Sequence, residues 1–340
     1  MRKHYLDHLR AIAILAVITI HVTTKYYAMM ATVGQPGWWL ANILDSISRF
    51  AVPVFAMLSG AVLLGRRESI SEFYLKRTAR LLPPIIFWTL FYVVFHVYQT
   101  GGDGLSSFVK LELFAKGQAA GHLWYLNMFV CLMLFAPFIN KFVNGDKPNA
   151  LDLRRLLTLS FVFFALNSVS SFAKEVLGIT MEWFALFPWY IAYFVAGHYL
   201  DRYGEVLNIS SRRIMVLLAG LVFFGVLLNY CAVVMLGISR DDFAMSNTGP
   251  LVFVIALLIF LLARKNAFRL TGHRVVTVIS DAAFGIYLIH PVFIYFLSYK
   301  LPITGMSPLL VMPIMVVATM LLSCCTIILL RKSAVMRRFC

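Results

Sequence analysis

Apolar positions in this chain come in long, nearly unbroken runs, separated by short stretches where arginine and lysine collect. A helix needs about 17 to 25 mostly apolar residues to cross a bilayer. Runs of that kind fall near 9–27, 40–64, 82–99, 123–142, 156–173, 183–200, 213–236, 249–263, 275–298 and 308–330. The pattern predicts an all-α fold, a polytopic membrane helix bundle of about ten transmembrane helices. No internal repeat or low-complexity segment interrupts it, so residues 1–340 are expected to form a single transmembrane domain. The longest outer connection, Gln99 to Gly121, carries a Gly-Gly-Asp-Gly turn signal and is too short for a domain.

Orientation follows from the basic residues, which favour cytoplasmic loops. With the N-terminus inside, 23 lysines and arginines fall on the cytoplasmic side, among them Arg2, Lys3, Arg10, Arg66, Arg67, Lys76, Arg77 and Arg80. Six remain outside: Lys25, Lys110, Lys116, Lys174, Arg240 and Lys300. An odd helix count would spoil this alternation, so both termini are expected to be cytoplasmic.

Composition sharpens the class without changing it. The chain is 61% hydrophobic and 13% charged, with a mean hydropathy of +0.83. Its net charge of +15 could suggest a nucleic-acid partner. Loop asymmetry explains that charge, so none is expected. The start also fits a signal peptide, but His21 interrupts the apolar run and no A-x-A site follows, so a retained first helix is expected. The five cysteines show neither C-x-x-C nor metal-ligand spacing, and no metal is expected.

Candidate chemistry begins with Arg10 and His21. Ionisable groups within an apolar span are costly and mark functional sites. Eleven residues at about 100° each return to within about 20° of the same face, with a rise of about 16 Å. The reading places His21 near mid-membrane and Arg10 at the headgroups, with Asp7 one turn away as its partner. Asp45 and Arg49 stand at i and i+4 and can pair on one helix face. Pro53 can kink that helix, and Ser59-Gly60 permits close packing or a second bend. Arg77 and Arg80 lie one turn apart on a short amphipathic helix, with Lys76 alongside and Pro83-Pro84 opening the third span. Guanidinium forks suit phosphate, although anchoring to anionic lipid explains the same residues. His122, Trp124 and Tyr125 sit at the outer mouth of the fourth span, as an aromatic belt or a sugar platform. The ninth span carries Asp281, Tyr287 and His290; Asp281 and His290 are nine residues apart, about half a turn off register, so the two need not face one cavity.

Together these residues resemble the acyltransferase 3 family of integral membrane acyltransferases. The likeness rests on Asp7, Leu9, Arg10 and His21 as R-x10-H, and on Ser48-Arg49-Phe50, Val52-Pro53 and Ser59-Gly60. It continues in Arg77-x-x-Arg80 with Pro83, in His122-Leu-Trp-Tyr-Leu, and in Tyr287-Leu-Ile-His290. Residues 41–60 look most like the short enzymes that O-acetylate enterobacterial common antigen and related surface glycans. Ala61 departs from the aromatic usual after Ser-Gly.

The resemblance implies a multi-pass enzyme of the bacterial inner membrane with no permanently bound cofactor. It would carry an acyl group, acetyl above all, from cytosolic acetyl-CoA to a glycan or lipid-linked glycan. Arg10, Lys76, Arg77 and Arg80 would hold the CoA phosphates, and His21, assisted by Arg10, would be the catalytic residue. Asp45, Arg49, His122, Trp124, Tyr125, Asp281, Tyr287 and His290 would line the acceptor cavity. Membrane lipid and a second copy of the chain complete the expected partners. Intramembrane charges and a Pro-kinked helix also suit a transporter or flippase of a lipid-linked sugar, which the lack of an internal repeat disfavours.

Overall fold

A computed structural model describes residues 2–27, 32–99, 120–145, 154, 157, 161, 165, 168, 186–237, 244–267, 270 and 272–300, and residues 306–340. Among the described residues every regular element is helical. The helices are α1 (His4–Tyr27), α2 (Pro36–Ser48), α3 (Ala51–Leu63), α4 (Ile70–Gln99) and α5 (Trp124–Val143). They continue with α6 (Leu186–Tyr203), α7 (Ser211–Leu236), α8 (Pro250–Lys265), α9 (Arg274–Lys300) and α10 (Pro308–Leu330). The expected fifth span, 156–173, and the long connection before α5 lie mostly outside the described residues.

Seven of these stretches are long and apolar enough to cross a membrane, counting α2 and α3 as one. Exposed apolar stripes identify the faces that meet lipid: Leu82, Ile86, Leu90 and Val94 on α4, and Leu310, Ile314, Val317 and Leu321 on α10. This is a multi-pass membrane protein. The helices α6 and α8, expected as spans, are not among the seven; α8 has only 16 residues. Both are inner elements, and α6 is buried along most of its length. A helix walled by protein escapes the demand that lipid makes for apolar surface.

The hub is α1, which packs against α2, α3, α8, α9 and α10. Ala13, Ile14 and Ile18 on it are fully buried. The most extensive helix pair is α3 with α6, and glycine makes it possible. A Cβ on Gly60 would lie 1.7 Å from the Phe194 carbonyl oxygen, and one on Gly197 would lie 1.9 Å from that of Met57. Of the two roles open to Ser59-Gly60, close packing is the one observed.

The second expected span is broken between Ser48 and Ala51, though Arg49 and Phe50 keep right-handed helical angles. Pro53 has no N–H to give the Arg49 carbonyl, which loosens the helix at that point. The third departs from expectation in the opposite sense. Instead of a short surface helix stopped by Pro83-Pro84, α4 runs unbroken for 30 residues. Ser69 caps its start, its hydroxyl accepting the Glu72 N–H at 3.2 Å. The prolines free the carbonyls of Ala79 and Arg80, both at exposed positions where solvent can satisfy them.

Candidate functional site: a histidine cluster opposite a basic end

Three helices bring three histidines together. His21 is on α1, His290 on α9, and His122 in the 3-10 turn Gly121–Leu123 that leads into α5. The His21 and His290 ring centroids are 5.0 Å apart, those of His122 and His290 5.4 Å, and those of His21 and His122 6.4 Å. His122 and His290 are buried, while His21 is half-buried. His21 lies six residues before the end of α1, as far from that end as Arg10 is from the other.

Backbone carbonyls of α9 organise the cluster. The Tyr287 hydroxyl donates to the His122 carbonyl oxygen. His290 Nδ1 lies 2.7 Å from the Tyr287 carbonyl oxygen, and Tyr92 Oη donates to that of Leu288 at 2.6 Å. Tyr92, on α4, packs 5.0 Å from His122, ring to ring, and the sequence reading missed it. One tyrosine among the many aromatics of α4 carries no distinguishing signal; only its burial does. Tyr125 stacks edge-on to Tyr287 at 5.8 Å, and Trp124 lies 6.0 Å from Tyr190. The expected residues His21, His122, Tyr125, Tyr287 and His290 therefore form one aromatic-walled cluster, with Trp124 at its edge.

Asp45 and Arg49 pair as the spacing predicts, Nε to Oδ2 at 2.6 Å, with Asp45 fully buried. Thr23, two residues beyond His21, approaches Asp45 Oδ1 at 3.4 Å. This ties the α2–α3 break to the histidine-bearing end of α1.

Asp281 does not belong to this cluster, contrary to its assignment to the acceptor cavity. It lies at the other end of α9, its side chain half exposed and 2.8 Å from Arg2. Nine residues of helix rise about 13 Å and turn half a revolution away from His290. There Arg2 also binds Asp7 at 2.6 Å, and these two carboxylates hold its guanidinium pKa above the usual value. Asp7 sits 3.5 Å from Arg10, as expected, and accepts from Ser280 at 2.8 Å. Arg10 donates to the same Ser280 hydroxyl at 2.9 Å. Arg331 donates to the Asp281 and Cys340 carbonyls, so both termini gather at this basic end. The sequence reading missed Arg2 and Ser280, whose partners lie on another helix.

The phosphate-binding candidates on α4 share that end. Arg77 is held by Glu68 at 2.8 and 3.2 Å and lies over the Phe73 ring at 4.3 Å. Lys76 pairs with Glu72. Arg80 is exposed and near enough to Arg10 for their charges to repel. Among the described residues, no set of three or more His, Cys, Asp or Glu side chains is arranged to hold a metal ion.

Arg10 thus marks a charged end of α1 and His21 joins a histidine cluster about 16 Å along the helix from it. Comparison with known proteins bears on what it does. The model of the acyltransferase 3 family, described as an acyltransferase domain, matches residues 3–328. Glucans biosynthesis protein C of Escherichia coli O139:H28 is 25% identical over 338 residues, covering 88% of this chain and 84% of the relative. The protein of the same name from Escherichia coli O157:H7 (strain EC4115) gives the same identity and coverage. No solved structure matches the chain.

Proposed function

Because the chain belongs to the acyltransferase 3 family, we propose that it moves an acyl group, acetyl above all, from cytosolic acyl-CoA to a hydroxyl of a surface or lipid-linked glycan. One observation carries the reading: His21 stands in a histidine cluster about 16 Å along α1 from the end that holds Arg10, with Arg80 close enough to feel its charge. A polyanionic donor held at that end can extend its thioester toward His21. The acceptor reaches the cluster from the opposite face.

In this reading the bundle lies in the bacterial inner membrane with about ten spans and both termini cytoplasmic. Arg80 can meet CoA phosphates directly, and Arg77 joins after exchanging Glu68 for them. Neutral imidazole suits general base work near neutral pH, and His21 takes the acceptor's hydroxyl proton as the oxygen attacks the thioester carbon. The C–S bond breaks, and the proton passes to the departing thiolate. His122, Trp124, Tyr125 and Tyr287 supply flat faces for a sugar ring. The likeness of residues 41–60 to enterobacterial-common-antigen enzymes and the glucan named in the relatives both fit a polysaccharide acceptor. A flippase is not favoured, since the family is one of acyltransferases.

Purified protein in detergent is expected to release thiol from acetyl-CoA slowly, with water as acceptor. His21→Ala is expected to lower that rate by about 10² to 10⁴, the usual contribution of a general base. In cells it should leave glycan on the surface without its acyl increment by mass spectrometry. Glycan missing from the surface but acylated inside would overturn the reading.

A further inference from the structure

The two nitrogens of His290 are in different circumstances. Nδ1 faces the Tyr287 carbonyl oxygen at 2.7 Å, and a carbonyl only accepts, so Nδ1 carries the proton. In the neutral ring Nε2 is then a bare lone pair. It is buried and has no hydrogen-bond partner among the described residues. The nearest of the other two histidine rings is His21, at 5.0 Å and tilted by 47°.

We propose that His290 is a positioning residue for His21, its Nε2 accepting the N–H on the His21 nitrogen opposite the one that takes the acceptor's proton, a bond that becomes charge-assisted when the ring is protonated. This rests on the reading of His21 as the base. The proton moves from the acceptor oxygen to one His21 nitrogen, and the other His21 nitrogen donates to His290 Nε2. The acceptor oxygen bonds the acyl carbon, the C–S bond breaks, and His21 returns its proton to sulfur. The His290 lone pair is unpaired in the resting structure, and its attraction for the His21 N–H is greatest while His21 is charged. An interaction that strengthens only as the reaction proceeds raises kcat and leaves substrate KM alone.

Among the described residues, the other titratable groups facing His290 are few. His122 approaches from the turn before α5, while Tyr92 of α4 and Tyr287 of α9 have their hydroxyls engaged on backbone carbonyls. Asp7 and Arg10 lie at the far end of α1. Helix α10 carries no charged residue, and its Cys324 and Cys325 sit toward Arg331 at the basic end.

The experiment measures thiol release from acetyl-CoA by purified enzyme against pH. His290→Asn keeps a donor for the Tyr287 carbonyl but places nothing where Nε2 was, whereas His290→Gln puts an amide oxygen near that point. His290→Asn is expected to lower kcat by about 10², the low end of a base's contribution, with KM for acetyl-CoA unchanged. Without the acceptor, protonated His21 is less stabilised, so the acid limb of kcat should move to lower pH. His290→Gln is expected to recover at least about ten-fold of the loss. Equal rates in the two variants, or an unmoved acid limb in His290→Asn, would overturn the proposal. Should His290→Asn fail to insert, His290→Gln decides alone. A rate within about ten-fold of the parent with an unmoved limb supports the proposal, and a fall as deep as that of His21→Ala refutes it. His21→Ala with undiminished thiol release would instead sink the acyltransfer mechanism itself.

Discussion

Gly60→Ala and Gly197→Ala test whether α3 and α6 are held by backbone contact. A Cβ needs about 3.0 Å from a neighbouring atom, and the two sites offer 1.7 and 1.9 Å, shortfalls of about 1.3 and 1.1 Å. The obstructing atoms are main-chain oxygens, which cannot swing aside as a side chain would. The helices must part by about an ångström, and overpacking of that kind costs about 1–3 kcal/mol or somewhat more. Taking about 3 kcal/mol and about 2–3 °C per kcal/mol for a chain of this size, each variant should lower the apparent Tm by roughly 6–9 °C. Because one separation relieves both clashes, the double variant should cost about as much as the worse single one. Thermal unfolding in detergent, followed by tryptophan fluorescence across the four proteins of the cycle, reads this coupling. Strictly additive losses, or singles within 1 °C of the parent, would refute the argument.

Asp45→Asn removes the carboxylate that pairs with the buried Arg49 guanidinium, and breaking a buried pair costs about 3–5 kcal/mol. Most of that loss should return in the Asp45→Asn/Arg49→Met double variant, and an unchanged Tm in the single one would mean that the pair is solvated. Arg80→Gln should raise KM for acetyl-CoA about ten-fold or more with normal membrane levels, because charge-assisted hydrogen bonds contribute about 1.5–3 kcal/mol each. Arg77→Gln should do less, since Arg77 must first leave Glu68, and Arg80→Lys should rescue only in part because the fork is lost. A reporter fused after Cys340 should read cytoplasmic, and an external signal would change the span count by one.

What the sequence makes legible is what lies within one helix. Helical rotation puts Asp7 beside Arg10 and Asp45 beside Arg49, and both pairs form in the structure. The same rotation warned that Asp281 and His290 diverge, and depth along the helix completes the separation. Interactions between helices were not legible. Arg77 finds Glu68 nine positions away. Arg2 reaches Asp281 across 279 positions, where no periodicity speaks. Proline spoke truly only once, Pro53 marking the break after α2 while Pro83-Pro84 lie inside an unbroken α4. The sequence reading passed over Ser69 with Glu72 three residues on, the capping pattern that sets where α4 begins.

The burial of α6 bears on how the chain is made. Insertion machinery sorts segments by their apolarity, and α6 brings Tyr190, Tyr193, His198 and Asp201 into the interior. Such a segment gains little from lipid alone. It gains from α3, synthesised more than a hundred residues earlier, whose Gly60 leaves room for its backbone. Lys3 and Tyr5, also made before α6, hold Asp201 at its far end. Threading α6 into place is then itself a docking event, and a glycine variant that weakens the dock should appear in cells as failed biogenesis before it appears as lost catalysis.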